Sequence, residues 1–454
     1  MMLTLHAAAQ AVGGALHGDP ALVFARVTTD SRDIRAGDLF VALRGERFDG
    51  HDFADTALAQ GAAAVLVETD GGDNRIVVAD TLAALGALAS HWRDVISPKV
   101  IAITGSNGKT SVKEMLAAIL AAHAGADAVL ATRGNLNNHI GVPLTLLSLR
   151  AQHRFAVVEM GMNHTGEIDY LTHLARPDVA LVNNAGAAHL AALGSVEGVA
   201  RAKGEIFAGL AAGGTAIINA DDEYAPLWRE LAAGHPQLGF GLDECADVRG
   251  VAVTTGALAS TFTLATPQGR AQLTLDVPGL HNVRNALAAT AAALALGIQL
   301  VNCTAGLAAY HGVKGRLERK TAASGALLID DSYNANPDSM KAAIDVLVRI
   351  GVEQHKRTLL VLGDIGEVGA DAPERHAEVG AYAKQAGVQQ LFTLGTHMAK
   401  AATAFGSTHF DSIGALLAVL TPEVGADTVV LVKGSRFMRM ERVVDALINE
   451  QGNN

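Results

Sequence analysis

Cysteine is nearly absent: Cys245 and Cys303 are the only two in 454 residues, and neither sits in a Cys-x-x-Cys pair. That excludes a disulfide scaffold. Aromatic residues make up only 4% of the chain. Half of the residues are hydrophobic, many of them alanine, yet no run approaches the ~20 apolar residues that cross a bilayer, which excludes an integral helical membrane protein. Basic residues are outnumbered, 35 against 46 acidic, and the net charge of −11 opposes binding to nucleic acid or an anionic membrane surface. The segment from Met1 to Ala11 lacks a basic start followed by a long apolar stretch, so the expected location is a reducing cytoplasm.

What is present is an alternation of short apolar runs with helical stretches, the pattern of an α/β chain with largely parallel sheets. A length of 454 residues, at about 150 per domain, gives roughly three domains. In the first, Asp38–Leu43 reads as a strand and Asp52–Gln60 as a short helix, with a longer helix over Thr81–Arg93. Ser97-Pro98 then marks a boundary, because proline biases its predecessor away from helix. Strands are expected at Val100–Ile103, Phe155–Glu159, Val179–Asn183 and Thr215–Asn219. Val248–Val277, richer in Thr, Val and Gln, reads as antiparallel hairpins forming a side sheet, ahead of an Ala-rich helix over Asn285–Ala295. A third β/α series starts near Arg316, with strands at Ala326–Ile329, Thr358–Leu362, Gln390–Leu394 and Thr428–Val432. The boundaries so placed are 1–98, 99–314 and 315–454, with no internal repeat or low-complexity segment.

The strongest local signal is Gly105-Ser106-Asn107-Gly108-Lys109-Thr110, set between a predicted strand and a predicted helix over Ser111–Ala122. Glycines let backbone N–H groups face phosphate oxygens, the helix N-terminus adds positive potential, the lysine reaches terminal phosphates and the threonine hydroxyl can hold Mg²⁺. The match is to the shorter Gly-x-x-Gly-Lys-Thr form, since Ile103 occupies the position of the first glycine in the longer pattern. A metal-bound triphosphate also needs an acidic partner at a neighbouring strand end, where Glu159 stands. His189 is a further metal-ligand candidate, although a lone histidine reads equally as a structural hydrogen-bonder. Composition places Lys203 on a helix surface. Asn282 and Asn285 read as contacts to a base or ribose, or as caps of the Ala-rich helix, with capping expected for at least one. Asp330-Asp331-Ser332-Tyr333-Asn334-Ala335-Asn336-Pro337 reads as a turn and cap before a helix starting at Pro337, and its density of donors and acceptors suits a nucleotide as well.

These residues resemble the ATP-dependent Mur ligases of peptidoglycan synthesis. The likeness runs through Thr29-Asp30-Ser31-Arg32, Asp38–Ala42, Thr104–Thr110, Asn135–Pro143, Ala200–Phe207, His281-Asn282, Gly315-Arg316, Asp330–Pro337, Gly363-Asp364 and Val432–Arg436. It implies a UDP-substrate-binding domain with Ser31 and Arg32 in its loop, a central ATP-binding P-loop domain and a Rossmann-like C-terminal ligase domain. In the central domain it implies Gly105 to Thr110 around ATP, Thr110 and Glu159 on one Mg²⁺, His189 on a second, and Lys203 carbamylated to support a metal. Asn282, Arg316, Asp331, Asn334 and Asn336 would contact adenine, ribose or phosphate, and Asn137 and Asn138 would face the reacting carboxylate. The family's third-residue ligase carries an Asp-Asn-Pro-Arg motif, which is missing here. Asn334–Pro337 and Lys433–Arg436 instead imply addition of D-alanyl-D-alanine to UDP-N-acetylmuramoyl-tripeptide by a monomeric enzyme. Alternatives are another amide ligase of the same fold, a P-loop ATPase or kinase, and a nucleotide-binding scaffold.

Overall fold

The computed structural model describes residues 1–46, 48–187 and 190–449. Its strands form three sheets in chain order. Five strands between Ala15 and Val77 make the first, parallel except for Ala15–His17, which runs antiparallel to Arg75–Val77. Nine strands between Lys99 and Leu275 make the second, and six between Glu318 and Lys433 the third. Thr81–Ile96 follows the first sheet, capped by Asp80, and ends at Ser97 in a left-handed conformation ahead of Pro98. The helix also faces the second sheet's layer, where Trp92 Nε1 donates to the Leu149 carbonyl at 3.0 Å.

Lys99–Thr104 lies inside the central sheet, between Val179–Val182 and Phe155–Glu159. Its side chains alternate between two cores: Val100 and Ala102 join one apolar cluster, Ile101 and Ile103 the other. Burial on both faces explains its uninterrupted apolar sequence and fixes its C-terminal end, where the phosphate loop begins. Leu280–Ala295 packs against Lys109–Ala124 and several strands, and most of its alanines are buried. Alanine at these positions lets the helix approach its neighbours closely without losing helix propensity.

The expected side sheet is corrected. Val248–Thr255, Ser260–Thr266 and Gly269–Leu275 are antiparallel hairpins, but they continue the central sheet through the parallel pairs Phe240↔Val248 and Gly241↔Arg249. In the third sheet Leu327–Asp331, Thr428–Lys433, Arg357–Gly363, Gln390–Leu394 and His409–Phe410 are parallel, with Glu318–Thr321 antiparallel at the edge. The loops after Asp331, Gly363 and Lys433 therefore emerge at the same end of the sheet, the place where open α/β sheets bind ligands. That end faces the phosphate loop.

Candidate active site

Gly105 and Gly108 both have positive φ, and Gly108 allows the loop to lie against Asn183 and Asn285, with which any side chain there would collide. Asn184 Oδ1 accepts the Asn107 N–H at 2.8 Å, fixing the loop from the neighbouring strand end. Lys109 Nζ donates to the Gly105 carbonyl at 2.7 Å, and burial lowers its pKa against the opposing charge of Glu159. Thr110 Oγ1 donates to Glu159 Oε2 at 2.9 Å, while Asn137 Nδ2 donates to Oε1 at 2.8 Å. The strand-end glutamate is thus buried yet held on both oxygens, with Thr110 on one and Asn137 on the other. Asn138 turns elsewhere: its Oδ1 accepts the Gly141 N–H at 2.8 Å, at the start of helix Gly141–Leu147.

The third sheet contributes the opposite wall. Arg316 Nη2 donates to Thr110 Oγ1 at 3.1 Å and its guanidinium lies 4.5 Å over the Tyr333 ring. Asn336 caps the helix Pro337–Gln354 in a reciprocal capping box with Ser339 and, with its other end, donates to Asn107 Oδ1 at 2.7 Å. Asp331 accepts from Lys433 Nζ at 2.6 Å, and the same ammonium donates to the Asn334 carbonyl at 3.0 Å. A cleft of about 360 Å³ lies between the two walls, lined among others by Asn107, Asn184, Asp222, His281, Asn282, Arg316 and Lys433. A narrower recess of about 80 Å³ adjoins it, formed by Ser106 to Lys109 with Arg316, Asn334, Asn336 and Lys433. The wide, partly apolar space suits a nucleoside and the narrow, cation-lined one suits phosphates.

Two expectations from composition are corrected. Lys203 is not a surface residue: it is 1% exposed on helix Val196–Gly204, and burial, reinforced by the charge of Lys109, holds its amine well below the ordinary lysine range. Neither Asn282 nor Asn285 caps its helix, which begins at Leu280 and has Gly279 at its N-cap. Asn282 donates instead to the Pro278 carbonyl at 2.8 Å, and Asn285 accepts from Asn183 at 2.9 Å, linking the helix to the strand end beside the loop.

Ser31 and Arg32 stand apart from this cluster. Arg32 is exposed and pairs with Asp30 at 2.7 Å in its own turn, and neither residue lines these two clefts. His189 lies outside the described residues. Among the described residues no group of three or more His, Cys, Asp or Glu gathers as a metal site.

Sequence reasoning passed over His281, Arg284, Asp221 and Lys433 as lining residues. Arg284 pairs with Asp221 at 3.1 Å, and burial lowers His281 to about 4. The signal for Asp221 lay in the polar residues following a strand, Asn219 to Asp222. Glu367, held at φ 62°, was passed over as well: its charge opposes the burial that lowers the Lys109 pKa.

Comparison with known proteins finds relatives over nearly the whole chain. Residues 103–293 match the Mur ligase middle domain, 315–436 the glutamate ligase domain of Mur ligases, and 23–93 the domain described as the Mur ligase family, catalytic domain. The UDP-N-acetylmuramoyl-tripeptide–D-alanyl-D-alanine ligase of Haemophilus influenzae is 43% identical over 451 residues, 97% of each chain. The chain belongs to the Mur ligase family. Among solved Mur ligases, a MurF from Acinetobacter baumannii superposes with a TM-score of 0.93 at 39% identity, covering 99% of both chains. A MurF ligase from Thermotoga maritima, solved in complex with ADP, gives 0.83 at 29% identity over 94% of this chain and 98% of its own. In this Mur ligase, the phosphate loop and the polar loops of the third sheet form one continuous cleft.

Proposed function

We propose that this chain is an ATP-dependent amide ligase that joins D-alanyl-D-alanine to UDP-N-acetylmuramoyl-tripeptide, giving the pentapeptide precursor of peptidoglycan. The observation that carries the reading is the pairing of a phosphate loop with polar residues of a second sheet: Arg316 on Thr110 and Asn336 on Asn107. A phosphate loop alone serves many ATPases. One covered by a second domain's donors can activate a carboxylate and shield the product from water. The names and extent of the relatives favour the dipeptide acceptor. Residues 1–98 are assigned to the UDP substrate, 99–314 to ATP and 315–454 to closure, and a cytoplasmic location follows from the substrates.

Amide formation from a free carboxylate is uphill until one carboxylate oxygen becomes a leaving group. The terminal carboxylate of the tripeptide attacks the γ-phosphorus of ATP, the bond to the β-phosphate oxygen breaks, and ADP and an acyl phosphate result. The amine of D-alanyl-D-alanine then attacks the acyl carbon, loses its proton, and expels phosphate from the tetrahedral intermediate. Lys109 and the loop N–H groups hold the transferring phosphoryl group, while Arg316 adds positive charge from the opposite wall. Asn137 orients Glu159 beside the incoming carboxylate.

The donor set of Thr110 hydroxyl and Glu159 carboxylate, all oxygen and mutually in contact at 2.9 Å, fits Mg²⁺. The ion would be held by these two residues and would neutralise charge on the transferring phosphate. Lys203 fits carbamylation: burial favours its neutral amine, the form that adds CO₂, and the resulting anion would offset the charge of Lys109. His189 completes the set as the proposed ligand of a second cation.

The test is phosphate release from ATP and Mg²⁺ with UDP-N-acetylmuramoyl-tripeptide, comparing D-alanyl-D-alanine with single amino acids and weighing the product by mass spectrometry. Turnover and a dipeptide mass gain are expected with the dipeptide alone. Reaction only with UDP-N-acetylmuramoyl-dipeptide and a diamino acid would overturn the assignment. Lys203→Ala is expected to lose most activity and to regain part of it with acetate, and full activity in that variant refutes the carbamate role.

A further inference from the structure

A second cavity, of about 590 Å³, opens on Thr110 and is lined by Asn135, Lys314, Arg316, Tyr333, Arg436 and Glu441 among others. It shares Arg316 with the nucleotide cleft, but none of His281, Asn282 or Lys433 lines it. It therefore reaches the phosphoryl-transfer end of the site by a different route from the nucleoside.

Its cations are unequally committed. Lys113 is buried with its ammonium on the Thr132 carbonyl at 2.6 Å, and Arg316 is engaged with Thr110 and stacked on Tyr333. Arg436 differs. Its side chain is 60% exposed, and it pairs with Glu441 at 3.1 Å through Nη1. A guanidinium has five N–H donors in a planar fork that matches a carboxylate bidentately.

The backbone leading into Arg436 is fixed at two residues. Lys433 is tied to Asp331, and the Ser435 hydroxyl donates to the Ala335 carbonyl and accepts the Gly366 N–H at 2.8 Å. The guanidinium is thus presented from a rigid turn.

We infer that Arg436 binds the C-terminal carboxylate of the incoming dipeptide in this cavity and so selects the acceptor, with Glu441 positioning the guanidinium. The inference rests on the ligase reading above. An acceptor held by its carboxylate at Arg436 directs its amine toward Thr110. A single amino acid, one residue shorter, falls short by about 3.5 Å.

The test compares D-alanyl-D-alanine with its C-terminal amide on the wild type, Arg436→Met and Arg436→Lys, following phosphate release and product mass. The wild type is expected to favour the free acid over the amide by about 10- to 100-fold in kcat/KM, the loss of a charge-assisted pair. In Arg436→Met that preference falls to near unity through a higher KM for the acid, while the KM for ATP and for the UDP substrate stay within about twofold. Arg436→Lys retains part of the preference. Equal use of acid and amide by the wild type overturns the inference without any variant having to fold. So does a full preference surviving in Arg436→Met. A wild type that turns over neither dipeptide form overturns the ligase reading itself.

Discussion

Lys433→Met tests how the third sheet holds its half of the site. Lys433 is 3% exposed and Asp331 8%, and they meet at 2.6 Å at the ends of adjacent parallel strands. Removing the ammonium leaves Asp331 with the Leu317 N–H, 3.1 Å from its other oxygen, and deprives the Asn334 carbonyl of its donor. An ionised carboxylate stranded in this way costs about 3–5 kcal/mol, far more than the loss of an exposed ion pair, because desolvation is no longer offset. Asp331→Asn is milder, since the lysine keeps the Asn334 carbonyl. The double variant Lys433→Met/Asp331→Asn removes both charges and should be more stable than the sum of the single losses by about 2 kcal/mol or more. Urea unfolding followed by circular dichroism at neutral pH measures all four proteins. A Lys433→Met variant within about 1 kcal/mol of wild type, or single losses that simply add, refutes the argument that this pair is a buried, mutually dependent unit.

Glu159→Gln keeps the shape but removes the charge between Thr110 and Asn137, and is expected to lower kcat/KM by about 10²–10³-fold and raise the Mg²⁺ requirement. Activity within threefold of wild type in steady-state assays refutes the role. Asn336→Ala should cost about 1 kcal/mol of stability through the lost cap and also raise the KM for ATP, whereas Ser339→Ala weakens the same capping box but spares the Asn107 contact and the KM. Equal KM values in the two variants count against the bridge. His281, lowered by burial to about 4 from an ordinary 6.5, is neutral in the folded protein while the unfolded chain takes up a proton. Its contribution to stability is present above pH 6.5 and is lost as pH falls from 6.5 toward 4. An NMR titration of the imidazole in the folded protein with a midpoint near 6.5 contradicts this.

How far the sequence carried the argument depended on how local each feature is. Phe155–Glu159, Thr215–Asn219 and Gln390–Leu394 are strands over the very residues that their apolar runs mark, and Pro337 opens its helix with Asn336 as cap. The phosphate loop was readable for the same reason, since strand, glycines, lysine and helix follow one another within a dozen residues. Lys203 was not, because its neighbours Glu197 and Arg201 are exposed and make the helix look solvated. Its inner face is fixed by residues far along the chain, such as Trp228, whose ring N–H meets the Ala200 carbonyl. The capping expected of Asn282 or Asn285 fails because helix propensity assigns asparagine to an end. Here their partners, Pro278 and Asn183, satisfy both amides within the helix. The contacts that join the two walls, Arg316 to Thr110 and Asn336 to Asn107, span 206 and 229 residues, beyond any local pattern.

Net charge gives the sharpest case of what composition conceals. A value of −11 argues against non-specific attraction to polyanions. Yet the narrow recess gathers Lys109, Arg316 and Lys433 around a single carboxylate, Asp331, and adds the N-terminus of the helix Lys109–Ala124. Its local sign is the reverse of the molecule's. The surplus acidic charge elsewhere opposes a phosphate ligand at long range, while this recess sets backbone N–H groups and cations close together. Raising ionic strength should therefore screen the long-range repulsion more than the short contacts inside the cleft. On that reasoning the association rate for ATP rises, or stays level, between 0.01 and 0.15 M salt in stopped-flow measurements, conditions spanning Debye lengths of about 30 to 8 Å. A steep fall would mean that the field outside the cleft is already attractive and that the recess does not act alone.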